Sequence, residues 1–79
     1  MSDAGVLGIV WWISDGGIRK YGCRGSGEKY KQFYIWLKDT SYRCTSTDWP
    51  WDYFVFEDVN DHEKLTQEFP NDVWEDKND

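Results

Sequence analysis

Rings outnumber aliphatic side chains in this sequence. Six Trp, five Tyr and four Phe stand against twelve Val, Leu and Ile in 79 residues. A chain of this length forms one domain, residues 1–79, and buries only about 60–65% of its unfolded surface. Each buried ring contributes roughly 150–250 Å². The core must therefore be built largely from rings, yet it is too small to enclose all of them. Those left on the surface mark contact with a partner.

The pattern along the chain is that of short strands at hairpin spacing. Gly5 to Ser14 is rich in β-branched and aromatic residues and is closed by Asp15-Gly16-Gly17, which predicts a first strand and a turn. Leu7, Ile9, Trp11 and Ile13 face one way, and Val6, Gly8, Val10 and Trp12 the other. A second strand is predicted over Ile18 to Cys23, ended by a turn at Arg24-Gly25-Ser26-Gly27. That turn lacks the spacing of a phosphate-binding loop. Lys31 to Lys38 reads as a third strand, in which Phe33, Ile35 and Leu37 alternate with Tyr34, Trp36 and Lys38. Residues 39–41 and 45–50 read as loop, Trp51 to Phe56 as a fourth strand, and Val73-Trp74 as part of a fifth. Asp61 opens a short helix that Pro70 stops. The expected fold is all-β: a small five-stranded OB-like barrel over residues 5–56, with a short helical or irregular acidic segment over residues 57–79.

Charge divides the chain in two. Residues 16–45 hold seven Lys and Arg against Glu28 and Asp39, and residues 57–79 hold nine acids against Lys64 and Lys77. The basic stretch also carries Tyr21, Tyr30, Phe33, Tyr34, Trp36 and Tyr42. Cations interleaved with flat rings suit a single-stranded nucleic acid, whose phosphates the cations hold and whose bases the rings stack. The overall charge of −6 argues against strong non-specific binding to duplex DNA. Three roles suit the acidic segment: a solubilising surface, a strip that folds back on the basic face, or a mimic of DNA phosphates that occupies a protein's nucleic-acid site.

Little in the chain suggests catalysis. His62 is the single histidine and lies in a polar segment. No Cys, His, Asp and Glu cluster has metal-ligand spacing. Cys23 and Cys44 form no CxxC pair, and both a pair of thiols and a disulfide are compatible with their spacing. The chain is expected not to be an enzyme and to hold no cofactor or metal. MSDAGVLGIV has no basic segment ahead of its apolar residues, and no apolar run approaches the roughly 18–20 residues of a membrane span. A cytoplasmic location and no membrane partner are the expectation.

Four stretches carry a resemblance to a known family. Gly8-Ile9-Val10-Trp11-Trp12-Ile13, Gly17-Ile18-Arg19-Lys20-Tyr21-Gly22, Gln32-Phe33-Tyr34-Ile35-Trp36 and Phe54-Val55-Phe56 follow in the order of the strands of the cold-shock domain. Its corresponding segments read roughly G-x-V-K-W-F, K-G-F-G-F-I, V-F-V-H-F and V-x-F. The chain resembles that family over residues 5–56. The resemblance implies an OB-fold barrel binding single-stranded RNA or DNA, with Trp12, Tyr21, Phe33 and Trp36 at stacking positions. Arg19, Ile35, Trp11 and Ile13 stand where the family has Phe, His, Lys and Phe.

Two functions of different class follow as expectations. The first is binding of single-stranded nucleic acid through Trp12, Arg19, Lys20, Tyr21, Lys31, Phe33, Trp36 and Lys38. In a strand, Phe33 and Trp36 share a face only across a bulge or bend. The second is a small acidic inhibitor or adaptor of the kind phages and mobile elements use. It would bind a host protein, such as RNA polymerase or a nuclease, through Trp49, Trp51, Trp74, Glu75 and Asp76. In it, Trp49-Pro50-Trp51 forms a stiff apolar knob, and Val73-Trp74 among carboxylates forms a steered anchor.

Overall fold

The alternation of β1 (Val6–Ile13) organises the molecule. The computed structural model describes residues 4–76, and in it Leu7 and Ile9 are buried while Trp12 stands on the opposite side of the same strand. A tight turn returns the chain into β2 (Arg19–Ser26), with Ser14 N–H donating to the Ile18 carbonyl at 2.9 Å. β1 and β2 are antiparallel in a register that sets Ile9 beside Cys23, Trp11 beside Tyr21 and Trp12 beside Lys20. The rest of the chain is α1 (Gly27–Leu37), β3 (Tyr42–Asp48), β4 (Trp51–Phe56), α2 (Asn60–Glu68) and β5 (Val73–Glu75).

The five strands form one sheet in the order β3-β4-β2-β1-β5. All neighbours are antiparallel except β5, which runs parallel to β1. The result is a small sheet-dominated fold with five strands, as expected, but the sheet is open. Closure into a barrel requires β3 and β5 to pair, whereas β3 pairs with β4 and β5 with β1, leaving the two as opposite edges.

The segment expected as a third strand is the helix α1. Its apolar run satisfies two periodicities, and Tyr30, Phe33, Tyr34 and Leu37 have the i, i+3, i+4, i+7 spacing of one helical face. Gly27, at φ +71°, turns the chain out of β2 into that helix. At its other end Thr40 donates through Oγ1 to the Leu37 carbonyl at 2.7 Å. Residues 45–48, expected as loop, belong to the edge strand β3, nearly all of it exposed. An edge strand without a buried face carries no apolar alternation, so its Thr and Ser read as loop.

Both helices pack against one face of the sheet. Leu7, Ile9, Tyr21, Cys23 and Phe54 from the strands meet Phe33, Leu37 and Leu65 from the helices in a single buried cluster. Tyr21 and Phe54 stack with ring centres 5.0 Å apart and planes within 9°. Phe69 meets Phe33 edge-on at 5.6 Å. Three of the eight buried residues of this cluster are rings, and seven more rings, half-buried, pack around it. α1 is also tied by polar contacts: the Tyr30 and Tyr34 hydroxyls each donate to Asp52 Oδ2 on β4 at 2.9 Å.

Phe33 is completely enclosed. Phe33→Ala is expected to destabilise the domain by about 3–5 kcal/mol, a large share of the roughly 5–15 kcal/mol typical of native domains. Urea denaturation followed by circular dichroism measures this.

Candidate ligand-binding face of the sheet

The other face of the sheet carries no helix. Register and strand alternation fix what stands on it: Gly8, Val10 and Trp12 from β1; Lys20, Gly22 and Arg24 from β2; Trp51, Tyr53 and Val55 from β4; Arg43 from β3; Trp74 from β5. Adjacent strands lie roughly 4.8 Å apart, so these rings and cations form one continuous surface.

Glycine shapes that surface. A Cβ placed on Gly22 would lie 3.0 Å from the Tyr53 ring, so the glycine lets that ring come close to the β2 backbone. Trp12 meets Tyr53 edge-on, 6.1 Å between centres and 83° between planes. The Arg24 guanidinium stands over Trp51, 5.0 Å from its centre, a cation–π contact that keeps a positive charge on the rings. Two clefts open here. One, of about 540 Å³, is lined by Trp12, Lys20, Trp51, Tyr53, Asp76 and their neighbours. The second, of about 480 Å³, lies between Gly8, Arg24, Trp49, Pro50 and Trp74.

The residues picked out from sequence divide between the two faces. Trp12 and Lys20 are on the bare face. Tyr21 and Phe33 are core residues, 1% and 0% exposed, and cannot stack a ligand. They are in the core because β2 alternation and the α1 stripe both turn them toward the helices. Arg19 shares the helix-covered side and lies over Trp11 at 4.9 Å. Trp36 is half-buried on α1, edge-on to Phe56 and Phe69. Lys31 on α1 and Lys38 at its C-terminal end are exposed, across the sheet from Trp12. Of the residues assigned to a protein partner, Trp51, Trp74 and Asp76 reach the bare face and Trp49 its rim, while Glu75 pairs with Trp11 and takes the other side.

Tyr53, Arg24 and Arg43 belong to the face and escaped the sequence reading. The period-2 spacing of Trp51 and Tyr53 was the available signal. It is obscured because Trp51, which opens the predicted fourth strand, also reads with Trp49 and Pro50 as an apolar knob.

The helix-covered side holds the perturbed titrating groups. Burial, opposed by Arg19, pushes the Tyr21 phenol up to about 12, and its hydroxyl is hydrogen-bonded to His62 Nδ1 at 2.9 Å. Burial also pushes the Cys23 thiol up to about 12, helped by the Asp52 charge. Tyr34 is raised to about 12 by burial and by its contact with Asp52, and Tyr30 is raised further. These groups are locked neutral between sheet and helix. Cys23 and Cys44 are both free thiols. Among the described residues no group of three or more His, Cys, Asp and Glu is placed to hold a metal ion, and no helix is long and apolar enough to cross a membrane.

No family, curated protein or solved structure matches the chain.

His62 gives a pH prediction. Burial, then the Arg19 charge, lowers its pKa below 6.5, so the unfolded chain takes up the proton more readily than the folded one. Its contribution to stability is complete above the unfolded value and is lost as pH falls through the folded one. The thermal midpoint is expected to drop between pH 7.5 and 5.5, and His62→Gln to flatten that drop, as read by melting curves in matched buffers.

Proposed function

We propose that the bare sheet face binds single-stranded nucleic acid. One observation carries this: Trp12, Trp51, Tyr53 and Trp74 share an uncovered face with Lys20, Arg24 and Arg43. Rings on an open sheet stack bases, and cations set between them hold the phosphates that link those bases. The acids of α2 lie behind the sheet, so the chain's negative total does not describe this surface. The proposal keeps the ligand class that the cold-shock resemblance implied. It moves the platform from Tyr21, Phe33 and Trp36 to Trp51, Tyr53 and Trp74, with Trp12 common to both. An OB-type barrel is not needed for it, because an open sheet offers the same flat surface.

A second reading has its own observation. Trp49 is 92% exposed at the rim and Trp74 54%, and an exposed Trp pair beside a cleft also suits a protein hot spot. In that reading the same face meets a host protein, such as a nucleic-acid enzyme.

A titration of intrinsic fluorescence with single-stranded oligonucleotides separates the two. Micromolar quenching is expected, with log affinity falling against log salt at a slope of about −2 for three phosphate contacts on a single strand. Trp12→Ala is expected to weaken binding by about 1–3 kcal/mol with an unchanged circular dichroism spectrum. Lys31→Ala, on the far side, is expected to leave affinity unchanged. Absence of quenching at low salt favours the protein partner.

A further inference from the structure

The larger cleft contains a feature that phosphate binding alone does not explain. Asp76 places a carboxylate on a face meant for a polyanion. Its position is fixed by the backbone, since Asp76 N–H donates to the Trp11 carbonyl at 2.8 Å. β5 runs parallel to β1 with Glu75 beside Trp11, so Asp76 follows beside Trp12 on the bare side. On the other flank of Trp12, directly across the antiparallel pair, stands Lys20. Trp12, Lys20 and Asp76 all line the same cleft, with Trp51 and Tyr53 at its side.

A base lying on the Trp12 ring therefore has a cation at one edge and a carboxylate at the opposite edge. The cation requires acceptors. The carboxylate requires donors, because it accepts hydrogen bonds only. Guanine meets both demands. Its N7 and O6 are acceptors on one edge, and its N1–H and exocyclic N2 amine are donors on the other, enough for both carboxylate oxygens. Adenine offers a donor beside N7 and only acceptors on the far edge. Uracil offers acceptors at both carbonyls and a single donor, N3–H, for the carboxylate, against guanine's two. Cytosine provides a donor amine opposite a carbonyl but only one donor group for the carboxylate, across a narrower ring.

We propose that this cleft selects guanine, so that the protein's ligand is a guanine-containing single strand. This rests on the nucleic-acid reading above and adds base identity to it. Asp76 rejects bases that present acceptors to it and repels a phosphate that strays into the cleft.

The test uses seven-nucleotide uridine oligomers carrying one central guanosine, inosine, adenosine or cytidine, titrated into the full chain at low salt. Guanosine is expected to bind about tenfold more tightly than adenosine, within the range a well-placed base contact provides. Inosine, which lacks only the N2 amine, is expected to fall between them. Asp76→Asn is expected to collapse the guanosine–adenosine difference while overall binding persists or strengthens; its circular dichroism spectrum reports whether the fold is intact. Equal affinity for the four oligomers, or an unchanged preference in Asp76→Asn, overturns the guanine assignment and leaves nucleic-acid binding standing. No binding of any oligomer overturns both.

Discussion

The seating of α1 on one side of the sheet determines the rest of the structure. Phe33 fills the centre of that contact and is fully enclosed, and the hydroxyls of Tyr30 and Tyr34 fasten the helix to Asp52. Two short helices can cover one face of five strands and no more. The rings that point to the helices become core, and those that point away become surface. The aromatic excess is thereby sorted by strand parity: Trp11 packs edge-on to His62 with centres 4.8 Å apart, and its neighbour Trp12 goes to the open side.

Parity explains how far the sequence could be read. The first, fourth and fifth strands and the helix before Pro70 were legible, because each has a clean boundary or a single periodicity. The facing of Leu7, Ile9 and Trp12 followed from simple alternation. The run from Tyr30 to Leu37 was not legible, because six of its eight residues are aromatic or aliphatic and a nearly continuous run fits both periods. Its misreading as a strand made barrel closure plausible, because it supplied the strand whose place β3 in fact takes. β3 was hidden for the opposite reason: exposed nearly throughout, it has no apolar pattern to betray it.

The candidate site was legible in kind more than in position. Cations between rings were visible, and Trp12 and Lys20, named from sequence as binding residues, both stand on the bare face. Tyr21 and Phe33 were not separable from them by residue type; only their partners across the sheet send them inward. The Trp residues of the second half appeared to form a distinct surface because 37 residues separate Trp12 from Trp49. Parallel addition of β5 to β1, and the pairing of β4 with β2, bring both groups together. The charge question resolves likewise in space: the acids of α2 are kept apart from Lys20 and Arg24 of β2 by the thickness of the sheet, while Arg19 shares their side.

The two edges of the sheet carry a consequence for how the protein behaves at high concentration. An open sheet with tryptophans on its surface invites neighbouring chains to extend it, edge against edge. Here one edge is β3, polar along its length and irregular between Cys44 and Ser46, where the ladder shifts register. The other is β5, only three residues long. Neither gives an incoming strand a long regular ladder to copy. Self-assembly into fibrils is disfavoured at the borders, so the molecule can keep a broad aromatic surface wet and available for recognition.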